Sequence, residues 1–393
     1  MQAEPRWSCT IPSIHDDTPL GVRIYHPTTL QSQSEKPWRK RGIVMAHPYA
    51  PMGGSYDDRV VGIVADEFLS AGWIVGTFNF RGAHAAKGRT SWSGKPELSD
   101  YHSFASFFMH YLSYLRPNPL PDAAFTPDQL PVSPTTAAPH HLDEQAPIVV
   151  LGGYSYGSLI LRNLPPLPSI LQPFAAPLTG SAAHEILLCA QKLADQDNLE
   201  FINAARDHER RRRRGHEHKL SIKMGGEETS PEMRRSSREI GRSVDGGRSL
   251  DIVSRLRSLS HGHRRGKDPS PRPPAGPGKR PAIQVPAVRY LLVSPITPPT
   301  STLAAPALAR GFWSRPGNED ATLKMHETLA VYGDEDMFAS AKKIREWTAR
   351  MEIENQRGFG GVEVSGAGHF WHEQGVERQL REALRLWERR VRD

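Results

Sequence analysis

Apolar residues recur along the chain in short runs of four to seven, several of them bounded by glycine or proline. Runs of this length without alternation are typical of strands that are buried on both faces of a parallel sheet. Such strands are predicted at residues 43–46, 73–78, 147–151, 288–293, 326–332 and 361–364. Two further segments, 7–11 and 21–25, are predicted to form an antiparallel pair at the sheet edge, joined across Asp16 and Asp17.

Between these runs, apolar residues recur at the spacing of one helix face. The predicted stripes are Phe104, Phe107, Phe108, Tyr111, Leu112 and Leu115; Phe338, Ala341, Ile344, Trp347 and Met351; and Val376, Leu380, Leu384, Trp387 and Val391. Strands that alternate with amphipathic helices predict an α/β fold class with a doubly wound, mostly parallel sheet.

Two segments interrupt this alternation. Residues 117–144 are rich in proline, threonine and alanine and are predicted to form a flexible loop. Residues 206–284 contain the arginine cluster Arg210–Arg214, then serine- and arginine-rich sequence, then a stretch of proline and glycine. Because this second segment has few apolar residues, it cannot bury enough surface to offset the entropy of ordering. We therefore predict a disordered or weakly helical basic insertion.

The net charge of +7 belongs mainly to this insertion. Between residues 206 and 280 lie 21 of the 50 basic and only 10 of the 43 acidic residues, so the rest of the chain is slightly acidic. The insertion lacks interleaved aromatic residues for base stacking, so we expect no specific nucleic-acid partner. Nonspecific phosphate contact or nuclear import through Arg210–Arg214 is the alternative.

With no cysteine nearby, His208, His216 and His218 are interpreted as a polar tract, not a metal site.

The bulk sequence argues against membrane and secreted classes. No run approaches 18 consecutive apolar residues, and the first residues lack a basic start followed by an apolar run. Neither a membrane span nor a secretory signal is therefore expected. Cys9 and Cys189 are too few for a disulfide framework. These features predict a cytoplasmic protein, with the nucleus as the alternative location.

The strongest chemical motif is G-x-S-x-G at residues 153–157, centred on Ser155. A buried strand is predicted before it and an apolar helix after it, which is the strand–turn–helix context of a nucleophile elbow. In that context the helix start directs backbone N–H groups and positive dipole toward the serine. Ser155 is therefore the candidate nucleophile; the alternative is a serine that only caps the following helix.

An unassisted serine hydroxyl is a poor nucleophile and needs a base that is itself oriented by a carboxylate. In this fold the acid follows the serine and the histidine comes last. Asp336, three residues past a turn glycine, is the favoured acid, and Asp334 is the fallback. His369 follows the last predicted strand on a glycine-rich loop and is the candidate base. Helix capping by Asp336 and an ordinary loop position for His369 are the alternatives.

An acyl-transfer site also needs two N–H donors for the oxyanion. One is predicted to be the N–H of Tyr156, which follows the nucleophile. The other should come from the loop after strand 43–46, where Pro48 and Pro51 have no N–H, so Tyr49 is the natural donor. His47 is predicted to brace this loop rather than to act as a second base.

The HPxxPxGG pattern at residues 47–54 resembles the oxyanion loop of α/β-hydrolases related to dienelactone hydrolases and prolyl-oligopeptidase-like serine esterases. Segments 78–82, 92–100, 153–158, 333–336 and 368–370 resemble the same group, and the resemblance covers about 1–116, 146–165 and 286–393. It implies an α/β-hydrolase fold that works without metal or cofactor. Because Ser155 stands where dienelactone hydrolases have a cysteine, lactone hydrolysis is not implied.

Four parts are predicted from these patterns. Residues 1–165 and 285–393 form the two halves of the hydrolase core, 166–205 are a candidate small cap, and 206–284 are the insertion. We expect a serine hydrolase that cleaves a small-molecule carboxylic ester or related acyl bond through an acyl-enzyme. The alternatives are a prolyl-oligopeptidase-like peptidase and a non-catalytic binding protein that acts through its insertion.

Overall fold

The computed structural model describes residues 4–30, 38–84, 86–117, 146–223, 283–309 and 320–392. The chain divides into a main unit, residues 1–209 with 280–393, and a second unit, residues 210–279. Residues 118–144 of the predicted loop 117–144, and residues 224–282 of the basic insertion, lie outside the described residues. None of the helices in the described ranges combines the length and hydrophobicity of a membrane-spanning segment.

The main unit is built on an eight-stranded, mostly parallel sheet, and the predicted α/β-hydrolase fold class is confirmed. The strands are β1 (Trp7–Pro12), β2 (Pro19–Tyr25), β3 (Arg41–Ala46), β4 (Ile74–Phe78), β5 (Ile148–Tyr154), β6 (Ala287–Val293), β7 (Thr328–Gly333) and β8 (Phe359–Val364). Their order in the sheet is β1-β2-β4-β3-β5-β6-β7-β8. β2 is antiparallel to both of its neighbours, and β3 to β8 are all parallel. The loops that follow these six strands therefore meet at one edge, which we call the carboxyl edge.

Helices cover both faces of this sheet. They are α1 (Arg59–Ser70), α2 (Lys95–Tyr114), α3 (Tyr156–Arg162), α4 (Leu167–Ala175), α5 (Ala182–Lys223), α6 (Thr300–Ala304), α7 (Pro306–Ala309), α8 (Ala321–Lys324), α9 (Ala341–Glu354) and α10 (Val376–Val391). Short 3-10 turns lie at Thr28–Leu30 and Ala50–Met52. α1 and α10 pack with one face of the sheet in one apolar cluster, and α2, α3, α4 and α9 belong to the cluster on the other face. The sheet is therefore doubly wound.

The apolar stripes explain which helix faces are buried. All six predicted positions of the α2 stripe and all five of the α10 stripe are buried. The remaining stripe, which begins at Phe338, was predicted to start one turn too early. Ser340 caps α9 by accepting from the Lys343 N–H, so the helix begins at Ala341. Phe338 consequently lies in the loop before α9, and its ring contacts the ring of His369.

Residues 166–205 contribute α4 and the first half of α5. The imidazole of His102, on α2, contacts the Ile170 carbonyl of α4 at 2.6 Å. On α5, the Asp197 carboxylate accepts from Arg6 and from the Trp7 indole of β1, both at 2.8 Å. These contacts lie on the α2 side of the sheet, and a cap over Ser155 stays a prediction. α5 continues to Lys223, so the first part of the predicted insertion, 206–223, is helical.

Arg81, just after β4, lies almost buried in a cluster of acidic partners. Its guanidinium donates to both oxygens of Asp100, which is fully buried, and to Asp16. Asp100 also accepts from the Ser13 hydroxyl at 2.7 Å. The guanidinium holds the pKa of Asp16 near 2, and the two carboxylates raise the pKa of Arg81 against the effect of its burial. This cluster ties the β1–β2 turn to the loop after β4 and to α2.

Arg81→Met is expected to lower the free energy of unfolding by about 3–5 kcal/mol, because it leaves the buried Asp100 carboxylate without its counter-charge. Urea unfolding at pH 7 measures the change. The matched control is Arg345→Met, which removes an exposed ion pair with Glu363 and should have little effect. Adding Asp100→Leu to Arg81→Met should restore part of the loss. Equal effects of the two arginine substitutions would contradict this interpretation.

Candidate active site

Ser155 occupies a sharp turn between β5, which ends at Tyr154, and α3, which begins at Tyr156. Its backbone has φ 54° and ψ −112°, a conformation rarely adopted by residues other than glycine. The flanking glycines permit it: a Cβ on Gly153 would lie 2.4 Å from the Gly157 backbone, and one on Gly157 would lie 2.7 Å from the Ala46 carbonyl oxygen. The turn therefore holds the serine at the carboxyl edge at the cost of backbone strain.

His369 and Asp336 reach the same point from two other loops. Asp336 follows β7, and His369 lies in the loop between β8 and α10. The His369 Nε2 atom lies 2.7 Å from Ser155 Oγ, and its Nδ1 atom lies 2.6 Å from Asp336 Oδ2. All three residues are buried. The structure thus brings together the serine, the histidine and the favoured carboxylate in one hydrogen-bonded line.

The two candidate acids have different surroundings. Asp334 is exposed and accepts from the Ser365 hydroxyl at 3.1 Å and from the Gly366 N–H at 2.7 Å. Asp336 uses its Oδ1 to accept from the Phe338 and Ala339 N–H groups, and its Oδ2 faces His369. Asp334 therefore supports the turn after β8, whereas Asp336 both orders its own loop and contacts the imidazole.

Aromatic side chains surround the His369 imidazole. The Phe338 ring contacts it edge-on at 4.8 Å, the Phe370 ring lies at 5.5 Å, and the Tyr154 ring stacks on it at 5.8 Å. The Tyr154 hydroxyl also donates to the His369 carbonyl at 2.7 Å. A dry surrounding of this kind strengthens the hydrogen bonds of the imidazole and keeps it in one orientation. Tyr154, Phe338 and Phe370 were not predicted as site residues. Each lies only one or two positions along the chain from a residue that was predicted.

Tyr49 and Tyr156, the predicted oxyanion donors, lie side by side with ring centroids 5.1 Å apart. Tyr49 directly precedes the 3-10 turn Ala50–Met52, and its carbonyl accepts from the Met52 and Gly54 N–H groups. Gly157 closely approaches the end of β3, which sets the loop after β3 against the start of α3. The structure therefore places both predicted donor residues beside the turn that holds Ser155.

His47 braces the loop after β3, as predicted. Its Nε2 accepts from the Phe80 N–H at 2.9 Å, which leaves Nδ1 to donate to the Pro48 carbonyl at 2.6 Å. Both ring nitrogens are therefore used when the imidazole is neutral. Burial lowers the pKa of His47 to about 4, although the Pro48 carbonyl acts in the opposite direction. The side chain links the loops after β3 and β4 and is not available as a base.

The pKa of His47 predicts how stability depends on pH. Between its ordinary pKa of 6.5 and about 4, the unfolded histidine binds a proton and the folded one does not, so acidification favours unfolding. The contribution of His47 to the free energy of unfolding should be constant above pH 7. Below pH 6 it should fall by up to about 1.4 kcal/mol per pH unit. Urea unfolding from pH 7 to 5 measures the slope. His47→Gln should reduce it without abolishing it, because burial also lowers the pKa of His26 to about 4. The same slope in His47→Gln as in the wild type would contradict the lowered pKa of His47.

No protein-family model and no curated protein matches this chain. Solved structures that are similar to it include an α/β serine hydrolase homologue from Coxiella burnetii, with 14% identity, 98% of this chain and 99% of that chain covered, and a TM-score of 0.42. A serine hydrolase without a lid from Xanthomonas campestris has 13% identity, 98% and 96% coverage, and a TM-score of 0.43. An esterase from Pyrococcus furiosus has 9% identity, 100% and 97% coverage, and a TM-score of 0.44. Because these identities and TM-scores are low, the fold assignment rests on the strand order of this chain itself.

Proposed function

We propose that this protein is a serine hydrolase that cleaves a carboxylic ester through an acyl-enzyme intermediate. The observation that carries the proposal is the buried line Ser155 Oγ, His369 Nε2 and Nδ1, Asp336 Oδ2, with contacts of 2.7 and 2.6 Å. Both distances lie within the range expected for a nucleophile and its general base, and for that base and its orienting carboxylate.

The residues have distinct roles in the proposed reaction. Ser155 Oγ attacks the ester carbonyl carbon while His369 Nε2 takes the hydroxyl proton, and Asp336 stabilises the imidazolium that forms. The N–H groups of Tyr49 and Tyr156 hold the oxyanion of the tetrahedral intermediate. His369 then gives its proton to the leaving alkoxide, and the acyl group stays on Ser155. A water that loses its proton to His369 then attacks the acyl-enzyme. The bond between the acyl carbon and Ser155 Oγ breaks, His369 returns the proton to that oxygen, and the carboxylic acid is released.

The carboxyl edge suggests an apolar acyl or aryl group in the substrate. Four loops that follow different strands at this edge each expose a large apolar side chain: Met52 (61% exposed), Trp92 (74%), Met337 (78%) and Phe370 (43%). Each would lose water contact if an apolar group of the substrate were bound beside it, which favours such substrates. Phe370 directly follows the candidate base, so this preference should act close to the reacting bond.

A substrate panel tests the proposed activity and its closest rival. We expect measurable hydrolysis of p-nitrophenyl acetate, butyrate and octanoate, with kcat/KM rising from acetate to the longer acyl groups. Proline-containing p-nitroanilides should be cleaved slowly or not at all. The reverse order, with rapid cleavage of the prolyl amides, would favour a prolyl-oligopeptidase-like peptidase. No turnover of any ester by folded protein would contradict the proposal.

Trp92→Ala tests the apolar edge separately. It should raise KM several-fold for the octanoate ester and change KM for the acetate ester little, because we propose that the indole contacts only the longer acyl chain. The matched control is Ile353→Ala, which removes an exposed apolar side chain near the C-terminal end of α9. Equal changes in KM for both esters, or the same effect from Ile353→Ala, would contradict an apolar binding role for Trp92.

A further inference from the structure

Backbone strain in the described part of the chain is concentrated around the candidate active site. Six described residues other than glycine have a positive φ, and three of them are Ser155 (54°), Ser294 (44°) and Trp371 (58°). Residues with a Cβ persist in this region only where the surrounding structure holds them there. Ser155 is the proposed nucleophile, so the strain at Ser294 and Trp371 points to a part in the same site.

Ser294 directly follows β6 and is completely buried. The peptide group before it is hydrogen-bonded on both sides. Its carbonyl, that of Val293, accepts from the Ser155 N–H at 2.9 Å. Its N–H, that of Ser294, donates to the Val331 carbonyl of β7 at 2.8 Å. Ser294 is therefore fixed, through the backbone, against the turn that holds the nucleophile.

Trp371 joins the loop that carries the base to the same point. It lies two positions after His369 and is completely buried. Its indole Nε1–H donates to the Ser294 hydroxyl oxygen at 2.9 Å. Its backbone carbonyl accepts from the guanidinium of Arg59, at the start of α1. Both the side chain and the backbone of Trp371 are thus held, and the hydrogen bond to Ser294 links the base loop to the end of β6.

We propose that Ser294 is a positioning residue, which acts through the Trp371 indole to set the distance between His369 Nε2 and Ser155 Oγ. One residue contacts the nucleophile turn through its peptide group and the base loop through its hydroxyl. It therefore fixes the two reacting side chains relative to each other, which is the geometric requirement for proton transfer between them. This inference rests on the proposed function, since it assigns both residues a part in that reaction.

A second hydrogen bond limits how far the base loop can move. The Tyr154 hydroxyl, at the end of β5, donates to the His369 carbonyl at 2.7 Å. The loop is therefore held at His369 by β5 and at Trp371 by the residue after β6. Loss of the bond to Ser294 alone should displace the imidazole without releasing it, so activity should be reduced and not abolished.

Two substitutions remove this hydrogen bond from opposite sides. Ser294→Ala removes the acceptor, and Trp371→Phe removes the donor and keeps an aromatic ring. Each should lower kcat for p-nitrophenyl butyrate by about 10- to 100-fold and change KM less than about twofold, because the substrate still binds but the base is displaced. The double variant should be no slower than the slower single variant, since both remove one bond. Ser294→Gly suits the positive φ and should show the same loss if Ser294→Ala does not fold.

Trp73→Phe is the matched control. Trp73 is also completely buried, and its indole donates to the Glu388 carboxylate at 2.8 Å, but it directly precedes β4, at the sheet edge opposite the carboxyl edge. It should lower Tm and leave the kcat of folded protein unchanged. Folded Ser294 and Trp371 variants with wild-type kcat, additive losses in the double variant, or an equal loss in Trp73→Phe would overturn the inference and leave the proposed function standing. A wild type that hydrolyses no ester would overturn both.

Discussion

Ser155→Ala is expected to lower kcat/KM for p-nitrophenyl butyrate by about 10⁴–10⁶-fold. The substitution removes the only oxygen that lies within hydrogen-bond distance of His369 Nε2 among the described contacts, at 2.7 Å, and no covalent intermediate can then form. Residual turnover would reflect transition-state stabilisation by the Tyr49 and Tyr156 N–H groups. Initial rates with protein of matched concentration, over a background without protein, measure the loss.

Ser169→Ala is the matched control for this experiment. Ser169 is exposed on α4, and its side chain is no part of the candidate site. This variant should retain the wild-type rate within about twofold, since surface substitutions of this kind rarely perturb a fold. Circular dichroism and Tm measurements on both variants exclude unfolding as the cause. A folded Ser155→Ala protein that hydrolyses the ester at the wild-type rate would contradict the nucleophile assignment.

Asp336→Asn is expected to lower kcat by about 10²–10⁴-fold. The carboxylate at 2.6 Å accepts from His369 Nδ1–H and so keeps Nε2 free to take the serine proton. An amide NH₂ at this position would donate to Nδ1 and favour the tautomer that carries its proton on Nε2. The measurement is kcat for p-nitrophenyl butyrate at saturating substrate, compared with the wild type.

Asp334→Asn provides an unusually close comparison, because it makes the same chemical change two residues away. Asp334 is exposed and accepts from Ser365 and Gly366, so its replacement should alter kcat less than about threefold. If Asp334→Asn reduced kcat as much as Asp336→Asn, or more, the assignment of Asp336 as the orienting acid would be wrong.

The sheet was predictable because a parallel strand with helices on both faces is a continuous apolar run. β5, for example, was predicted to start at 147 and starts at Ile148. The antiparallel pair β1–β2 was predicted across Asp16 and Asp17, and the ladder confirms it. Periodicity alone placed Phe338 on a helix, because nothing in the spacing reveals that Ser340 caps α9. Helix starts depend on local capping, which a stripe of apolar residues does not record.

The candidate site was predictable in its components but not in their assembly. The order of Ser155, Asp336 and His369, each after a predicted strand, was sufficient to name them. The sequence favoured Asp336 and kept Asp334 as the fallback, because both follow the same turn glycine. The choice between them depends on how the loop after β8 folds back, which places His369 beside Asp336 and Gly366 beside Asp334.

Covalent labelling with a fluorophosphonate tests most directly whether Ser155 is an activated nucleophile. The reagent phosphonylates serines whose hydroxyl is deprotonated by a neighbouring base, so it reports on the pair of Ser155 and His369 without knowledge of the substrate. Intact mass should show one adduct on the wild type, and peptide mapping should place it on Ser155. Asp336→Asn should label more slowly, and Ser155→Ala should not label. An unlabelled folded wild type, or an adduct on any other residue, would contradict the proposed function.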